Sequence, residues 1–307
     1  MTKTITVGLD GSLESRAAAD WAAGEAKLRG LPVKLVQVWE SVPERMAQDP
    51  LLDAETHRHW TERVLREATE RLRQHHPEVE VSIEQVGGSP AQALADAAKD
   101  ADMLVLGSRG LGRVSGFLVG SVSLSALALT DRPVVVVRAA VQPTDRPDTE
   151  PTDTTSGAKN PRPVLLARPV LLGLDIGHPN EELIDFAFRA AAFRRVPLRV
   201  VHGWYPPAYY AYGVAPAVAA TEMVAQSDAA AMAEVLRPWQ RKHPDVEIVT
   251  ESHCSSPSLL LIEGSRDASL VVVGRRIRHS PLGFHIGSVT HAVLHHAAAP
   301  VAVVAHD

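Results

Sequence analysis

Short apolar runs alternate with longer stretches of helical spacing from the start of the chain. Thr4–Asp10, Val33–Trp39, Val79–Val86, Met103–Gly107 and Pro133–Arg138 have the length and β-rich composition of strands. Met103-Leu104-Val105-Leu106 and Val134-Val135-Val136-Val137 are apolar at every position, as strands are when both faces of their sheet are covered. Ser15–Arg29, Asp53–His75, Ser89–Lys99 and Ser121–Leu129 lie between them and read as helices. Ser89 is placed as an N-cap, with Pro90 at the first helical position, where its missing N–H has no intrahelical partner to lose. Such alternation predicts an α/β fold with a doubly wound, five-stranded parallel sheet.

The pattern then begins again. Val7-Gly8-Leu9-Asp10 returns as Leu172-Gly173-Leu174-Asp175, an offset of 165 (172 − 7), and Pro32–Trp39 returns as Pro197–Trp204. His76-Pro77 returns as His243-Pro244, now at 167 (243 − 76), followed at that offset by Ser89-Pro90, Gly120-Ser121-Val122 and Pro133 as Ser256-Pro257, Gly287-Ser288-Val289 and Pro300. Many coincidences at one period mark an internal repeat. The expected organisation is a first domain over 1–141, a linker over 142–163 and a second domain over 164–307, each domain with its own sheet. The linker is rich in Pro, Thr and Asp and has too few large apolar residues to build a core.

Composition narrows the classes. A chain of 307 residues suits two domains of ordinary size, and 45% hydrophobic with 22% charged residues is the balance of a soluble globular protein. A net charge of −5 argues against a general nucleic-acid binder, which normally shows a basic face. Cys254 is the single cysteine and forms no internal disulfide, so a reducing cytoplasm is expected. No apolar run reaches the roughly 18 residues that span a bilayer, and the N-terminus reads as a strand rather than a leader.

The candidate chemistry follows the fourth strand. Gly107 and Gly110 are read as positions where backbone with positive φ approaches a phosphate, and Gly120-Ser121 as a helix start whose free N–H groups and dipole attract an anion. The Ser121 hydroxyl is expected to add a hydrogen bond or to cap the helix. Asp10 closes the first strand at the same carboxyl end of the sheet, where open α/β sheets take their ligands.

Val7-Gly8-Leu9-Asp10-Gly11-Ser12, Gly107-Ser108-Arg109-Gly110 with Gly120-Ser121-Val122, and Pro133-Val134-Val135-Val136-Val137 resemble the universal stress protein A family. The resemblance covers both halves and implies a tandem, Rossmann-like architecture of the adenine-nucleotide α-hydrolase type. The ATP-binding branch of that family carries Gly, two residues, Gly, nine residues and Gly-Ser/Thr, which the first half matches. By that resemblance Gly8, Asp10 and Val38 lie beside the adenine and ribose. Gly107, Ser108, Arg109, Gly110 and Gly112, with Gly120, Ser121 and Val122, would hold ribose and phosphates, the ligand being ATP, with or without Mg2+.

The second half keeps Asp175, Gly274, Gly287, Ser288 and Val289, but Ile277 replaces the second glycine and Gly203 stands where Val38 does. A β-branched residue resists positive φ, so this loop is expected to take another path. Arg275, Arg276 and Arg278 are candidate phosphate donors or solvated surface charges. His291, His295 and His296 are read as surface or interdomain groups, because no glutamate accompanies them in a metal-binding helix pattern. Tyr205, Tyr209, Tyr210 and Tyr212, with Pro206, Pro207 and Pro216, form an aromatic insertion that serves as a partner surface, a lid or packing for its own domain.

Three functions compete: a nucleotide-binding regulator of the stress response, an adenylating enzyme, and an interaction protein that no longer needs nucleotide. The turn Asp10-Gly11-Ser12-Leu13-Glu14-Ser15 lacks the Ser-Gly-Gly-x-Asp-Ser loop of the pyrophosphatase relatives, and no catalytic lysine or histidine accompanies the phosphate loop. The regulator is therefore expected, with at most slow ATP hydrolysis. The apolar last strands, Pro133–Val137 and Pro300–Val304, are expected at sheet edges that cover each other in an intramolecular pseudo-dimer, with a homodimer of whole chains left open.

Overall fold

The computed structural model describes residues 3–39, 54–108, 119–139, 168–205, 218–277 and 286–307. Arg109, Gly110, Gly112, Arg278, the linker and the aromatic insertion after Tyr205 lie outside them. In the first half β1 (Thr4–Leu9), α1 (Leu13–Arg29), β2 (Val33–Trp39), α2 (Ala54–His75) and β3 (Val81–Gly87) are followed by α3 (Pro90–Ala97), β4 (Ala101–Gly107), α4 (Ser121–Leu129) and β5 (Val134–Val137). The second half repeats the series as β6 (Val170–Gly173), α5 (Glu181–Arg194), β7 (Leu198–Gly203), α6 (Val218–Lys242), β8 (Ile248–His253), α7 (Pro257–Gly264), β9 (Leu270–Arg276), α8 (Ser288–His296) and β10 (Val301–His306).

All strands join one ten-stranded sheet in the order β3-β2-β1-β4-β5-β10-β9-β6-β7-β8. Pairing is parallel except where β5 meets β10, which is antiparallel, with Val136 opposite Val301, Val135 opposite Ala302 and Val134 opposite Val303. The last strands of the halves therefore meet in the middle of a single sheet rather than closing two separate ones. Val136 and Val303, which match at the repeat offset, are diagonal neighbours and not a facing pair. The true outer edges are β3 and β8, and they carry Glu84, Gln85, Thr250 and Glu251 among mostly exposed positions. Polar edge strands discourage pairing with other chains.

Helices cover both faces. One core packs α1, α2, α5 and α6 against Ile5, Val7, Val135, Leu172, Ala302 and Val304, and the other packs α3, α4, α7 and α8 against Leu104, Leu106, Val136, Val271 and Val303. Both cores run through the β5–β10 seam without interruption, so burial of apolar surface holds the halves together as it holds each half. Helix ends follow local chemistry. Ser12 Oγ accepts the Ser15 N–H at 3.1 Å to cap α1, and Asn180 Oδ1 accepts the Leu183 N–H at 3.0 Å to cap α5. Ser89 occupies the N-cap of α3 with Pro90 in the first turn, but its hydroxyl makes no capping bond.

Candidate functional site

The sheet order reverses between β1 and β4, because the chain leaves β1 toward β2 and later returns to its other side. Parallel strands diverge at their carboxyl ends at such a point and leave a crevice. Gly8, Asp10, Val38, Gly107, Gly120 and Val122 line it in the first half, around a cavity of 160 Å³ as bounded by the described residues. A Cβ on Gly8 would stand 2.7 Å from Leu106 Cδ2, so the glycine keeps the floor of the crevice closed on its own core.

Asp10 is built into the turn that starts α1. Its Oδ1 accepts the Ser12 N–H at 3.0 Å and the Ser12 hydroxyl at 2.5 Å, and Gly11 between them takes φ of 81°. Positive φ is thus needed at Gly11, not at Gly107. Gly107 is required for a different reason: a Cβ there would lie 2.6 Å from the Glu14 carbonyl carbon and 2.7 Å from Ser15 N. The first turn of α1 packs directly onto the end of β4, and only a glycine leaves it room. Ser108 is buried and donates its backbone N–H to Val137 O at 2.8 Å, so that donor belongs to the sheet.

The candidate anion-attracting element is the start of α4. Gly120 is its N-cap, no side chain caps it, and Ser121 is the exposed first helical residue rather than the cap. The first α4 backbone bond runs from Leu124 N–H to Gly120 O at 3.1 Å, which leaves the amides of Ser121, Val122 and Ser123 without helical partners. Ser123 Oγ donates to Gly107 O at 3.1 Å and ties this terminus to β4. The second half repeats the tie, with Thr290 Oγ1 donating to Gly274 O at 2.7 Å. Neither hydroxyl was singled out from the sequence, although their match at the repeat offset (290 − 123) was a readable signal.

The equivalent crevice of the second half encloses 470 Å³ and is lined by Asp175, Gly274, Gly287, Ser288 and Val289, together with His202, Arg276 and His306. Asp175 Oδ1 accepts the Gly177 N–H at 3.0 Å, and His178 Nδ1 stands 3.3 Å from its other oxygen. His202 donates Nδ1–H to Leu174 O at 2.9 Å, which fixes the ring and leaves Nε2 as the acceptor of the neutral form. Gly203 does not leave a vacancy in the wall: a Cβ there would meet Pro257 Cα at 2.8 Å, because α7 begins against it.

The end of β9 pairs further along its neighbour than the end of β4 does. The β4–β5 ladder stops at Gly107 opposite Val137, but β9 and β10 continue through Arg275 opposite Ala305 and Arg276 opposite His306. Ile277 N–H then donates to His306 O at 2.6 Å. Residues at the places of Arg109 and Gly110 are thereby drawn into the sheet, and a β-branched residue suits that extended backbone. Arg275 is not a phosphate donor; it is buried and its Nη2 donates to Thr130 O of the first half at 2.8 Å. Arg276 is exposed at the crevice.

Among the histidines, His295 is buried between the halves, with Nδ1 3.4 Å from Val119 N and its ring 4.4 Å from that of His291. No group of three or more potential metal ligands occurs among the described residues, and Cys254 is exposed. No helix among them is long and apolar enough to cross a membrane.

Comparison with known proteins agrees with the repeat. The sequence profile of the universal stress protein family matches residues 1–138 and 167–305. A universal stress protein of Mycolicibacterium smegmatis is 34% identical over 307 residues, covering 98% of this chain and 96% of that protein. A universal stress protein of Mycobacterium tuberculosis H37Rv is 32% identical over 318 residues, covering 97% and 96%. In structure the chain resembles a universal stress protein of Archaeoglobus fulgidus, with a TM-score of 0.63 at 16% identity and complete coverage of both chains, a likeness of fold.

Proposed function

The chain belongs to the universal stress protein family, and from that premise we propose that the crevice of its first half binds an adenine nucleotide and that the protein acts as a regulator rather than an enzyme. One observation carries the reading. The uncapped amides of Ser121, Val122 and Ser123 start a helix beside Asp10 and Val38, at the carboxyl ends of β1 and β4. Backbone N–H groups and the positive helix end suit a phosphate, and Val38 offers an apolar wall to a base. Asp10, in the same crevice at the carboxyl end of β1, offers a carboxylate to the base and ribose end of the nucleotide. Its engagement with Ser12 favours a fixed structural or ligand-holding role over that of a base for hydrolysis.

The extended β9–β10 ladder favours a second reading for the other half: a crevice that no longer grips a polyphosphate, because the amide of Ile277 is already bound to His306 O. Calorimetry with ATP and Mg2+, together with chromatography of whatever nucleotide is released on denaturation, tests both. Binding that disappears in Gly120→Asp, which sets a carboxylate where phosphate would lie, supports the first-half site. A folded wild-type chain that takes no adenine nucleotide overturns it.

A further inference from the structure

Helix α4 presents the first-half amides at its N-terminus, yet two residues of the second half hold it near both ends. At its C-terminal end, Thr130 O accepts Arg275 Nη2–H at 2.8 Å. Thr130 is the C-cap, already in extended backbone at φ −112° and ψ 144°, and a permanently charged guanidinium gives its carbonyl a charge-assisted hydrogen bond that pins the chain where the helix ends. At the other end, Val119 N–H points at His295 Nδ1 at 3.4 Å, one residue before the N-cap Gly120. Both second-half residues are buried, at 6% and 8% exposure, so water does not substitute for either contact.

Arg275 occupies the place of Ser108 in the repeat (275 − 167), at the start of the loop that would otherwise hold phosphate. The residue that departs from the first half's loop is therefore the one that reaches across the seam. The contact in the opposite direction comes from another position: Arg138 Nη2 donates to Leu294 O in the last turn of α8 at 2.6 Å. Each half thus grips a helix end in the other, and the second half also reaches the approach to the N-cap of α4.

We infer that Arg275 and His295 are positioning residues for the first-half nucleotide crevice, acting across the seam through α4 although neither lines that crevice. The second half is then a brace that sets the height and tilt of the anion-binding helix end. This rests on the first half binding adenine nucleotide. Coupling is reciprocal, so nucleotide in the first half in turn steadies the seam.

The test measures ATP–Mg2+ affinity by calorimetry on the full chain, with urea unfolding as the check on fold, for Arg275→Met, His295→Leu, His295→Asn and Arg138→Met. Arg275→Met and His295→Leu should each weaken binding by roughly 2- to 30-fold, the range of residues that couple without touching ligand. His295→Asn keeps an acceptor where Nδ1 stands and should restore most of the affinity lost in His295→Leu. Arg138→Met removes a comparable seam contact, the one made to Leu294 O of α8, and should bind as wild type. Amide exchange at Leu124, the first bonded amide of α4, should quicken in the first two variants and not in the last. Unchanged affinity in Arg275→Met and His295→Leu overturns the inference while leaving the nucleotide reading intact, as does an equal loss in Arg138→Met. A wild-type chain that binds no adenine nucleotide overturns the nucleotide reading and this inference with it.

Discussion

Arg194 closes on Glu25 across the seam with two hydrogen bonds, at 2.5 and 3.3 Å, although the residues are 169 apart in sequence. Arg29 donates to the same carboxylate at 2.6 Å and to Asp102 at 3.0 Å, and the side chains of Glu25, Arg29 and Arg194 are only 2–3% exposed. Arg29 and Arg194 are repeat counterparts (194 − 29 = 165), and each lies against aromatic rings of the opposite half: Arg29 over Phe186 and Phe193, Arg194 over Trp21. Glu25 has Ala190 as its counterpart (190 − 25 = 165). Two arginines thus converge on one carboxylate that exists on one side only, an arrangement open to a tandem chain and closed to a symmetric dimer of one domain.

Glu25→Gln should therefore be among the most destabilising substitutions in the chain. It leaves Arg29 and Arg194 buried side by side with Asp102 as the remaining anion. Breaking a buried pair on one side typically costs about 3–5 kcal/mol. Urea unfolding at neutral pH measures the loss, and a change under about 1 kcal/mol would mean that water or a rearranged Asp102 replaces the carboxylate.

Two glycines at matching places should respond differently to alanine. At Gly107 the new Cβ meets the backbone of Glu14 and Ser15, which cannot move without lifting α1, and overpacking of that kind costs roughly 1–3 kcal/mol. At Gly274 the nearest atom is His306 Nε2 at 2.6 Å, the far end of a side chain that can turn away. Gly274→Ala should accordingly cost less than about 1 kcal/mol. Equal losses in thermal or urea melts would show that the first turn of α1 is not what Gly107 accommodates.

Much of the fold was legible. Ser121–Leu129 was read as a helix from sequence and is α4 at those bounds, and the wholly apolar Val134–Val137 is a strand covered on both faces. Local pattern suffices where the signal is periodic and the ends are marked. The site was legible as residue types, and Asp10, Val38, Gly107 and Gly120 do gather around one crevice. The reasons were less legible, because they depend on contacts between distant elements. Gly107 answers to the approach of α1, Arg275 to Thr130 across the seam, and Ile277 to a ladder with His306. None of those partners is close in sequence. Gly110 and Gly112, the remaining glycines of the loop pattern, fall outside the described residues.

Titration with ATP and Mg2+ should give a single tight site per chain, and Gly120→Asp should abolish it. Ile277→Gly should not create a second site. The obstacle there is the Ile277 N–H bond to His306 O and the ladder behind it, which a glycine can still make. Two tight sites of similar affinity in the wild type would show that the second crevice binds polyphosphate by a path that bypasses this ladder.

Acid should loosen the β7–β8 edge through Glu251. Its carboxyl is held below the ordinary value, chiefly by the hydrogen bonds from Arg199 at 2.6 and 2.8 Å, with His253 contributing. A depressed folded-state pKa stabilises fully above the unfolded value, about 4.3, and that contribution fades as pH falls through the lower folded value. Because the pair is partly open to solvent, its worth is at most about 1 kcal/mol. Glu251→Gln should lower the urea midpoint at pH 7 slightly and flatten its decline below about pH 4. A variant with the same acid slope as wild type would assign that slope to other carboxylates.

The register of the seam can be tested at its centre. Val135 lies directly opposite Ala302, and these two are counterparts in the repeat (302 − 135 = 167), so the pseudo-twofold axis passes between them. In a symmetric pair the facing residues would be identical; here a valine meets an alanine, both fully buried. Val135→Ala opens a void of about two methyl groups and should cost about 1–2 kcal/mol, while Ala302→Val crowds the valine opposite and should cost roughly 1–3 kcal/mol. The double variant exchanges the two side chains across the axis and restores the local volume, so the losses should not add. Directly opposed Cβ atoms lie about 4.5–5.5 Å apart and diagonal ones about 7–8 Å, so the compensation should be confined to this pair. A coupling of about 1 kcal/mol or more is expected for Val135→Ala with Ala302→Val, and less than about 0.5 kcal/mol for Val135→Ala with Ala305→Val, which is displaced along the strand. Strictly additive losses in the central pair would place the strands in another register, and with them the contacts from Arg275 and Arg138 that depend on it.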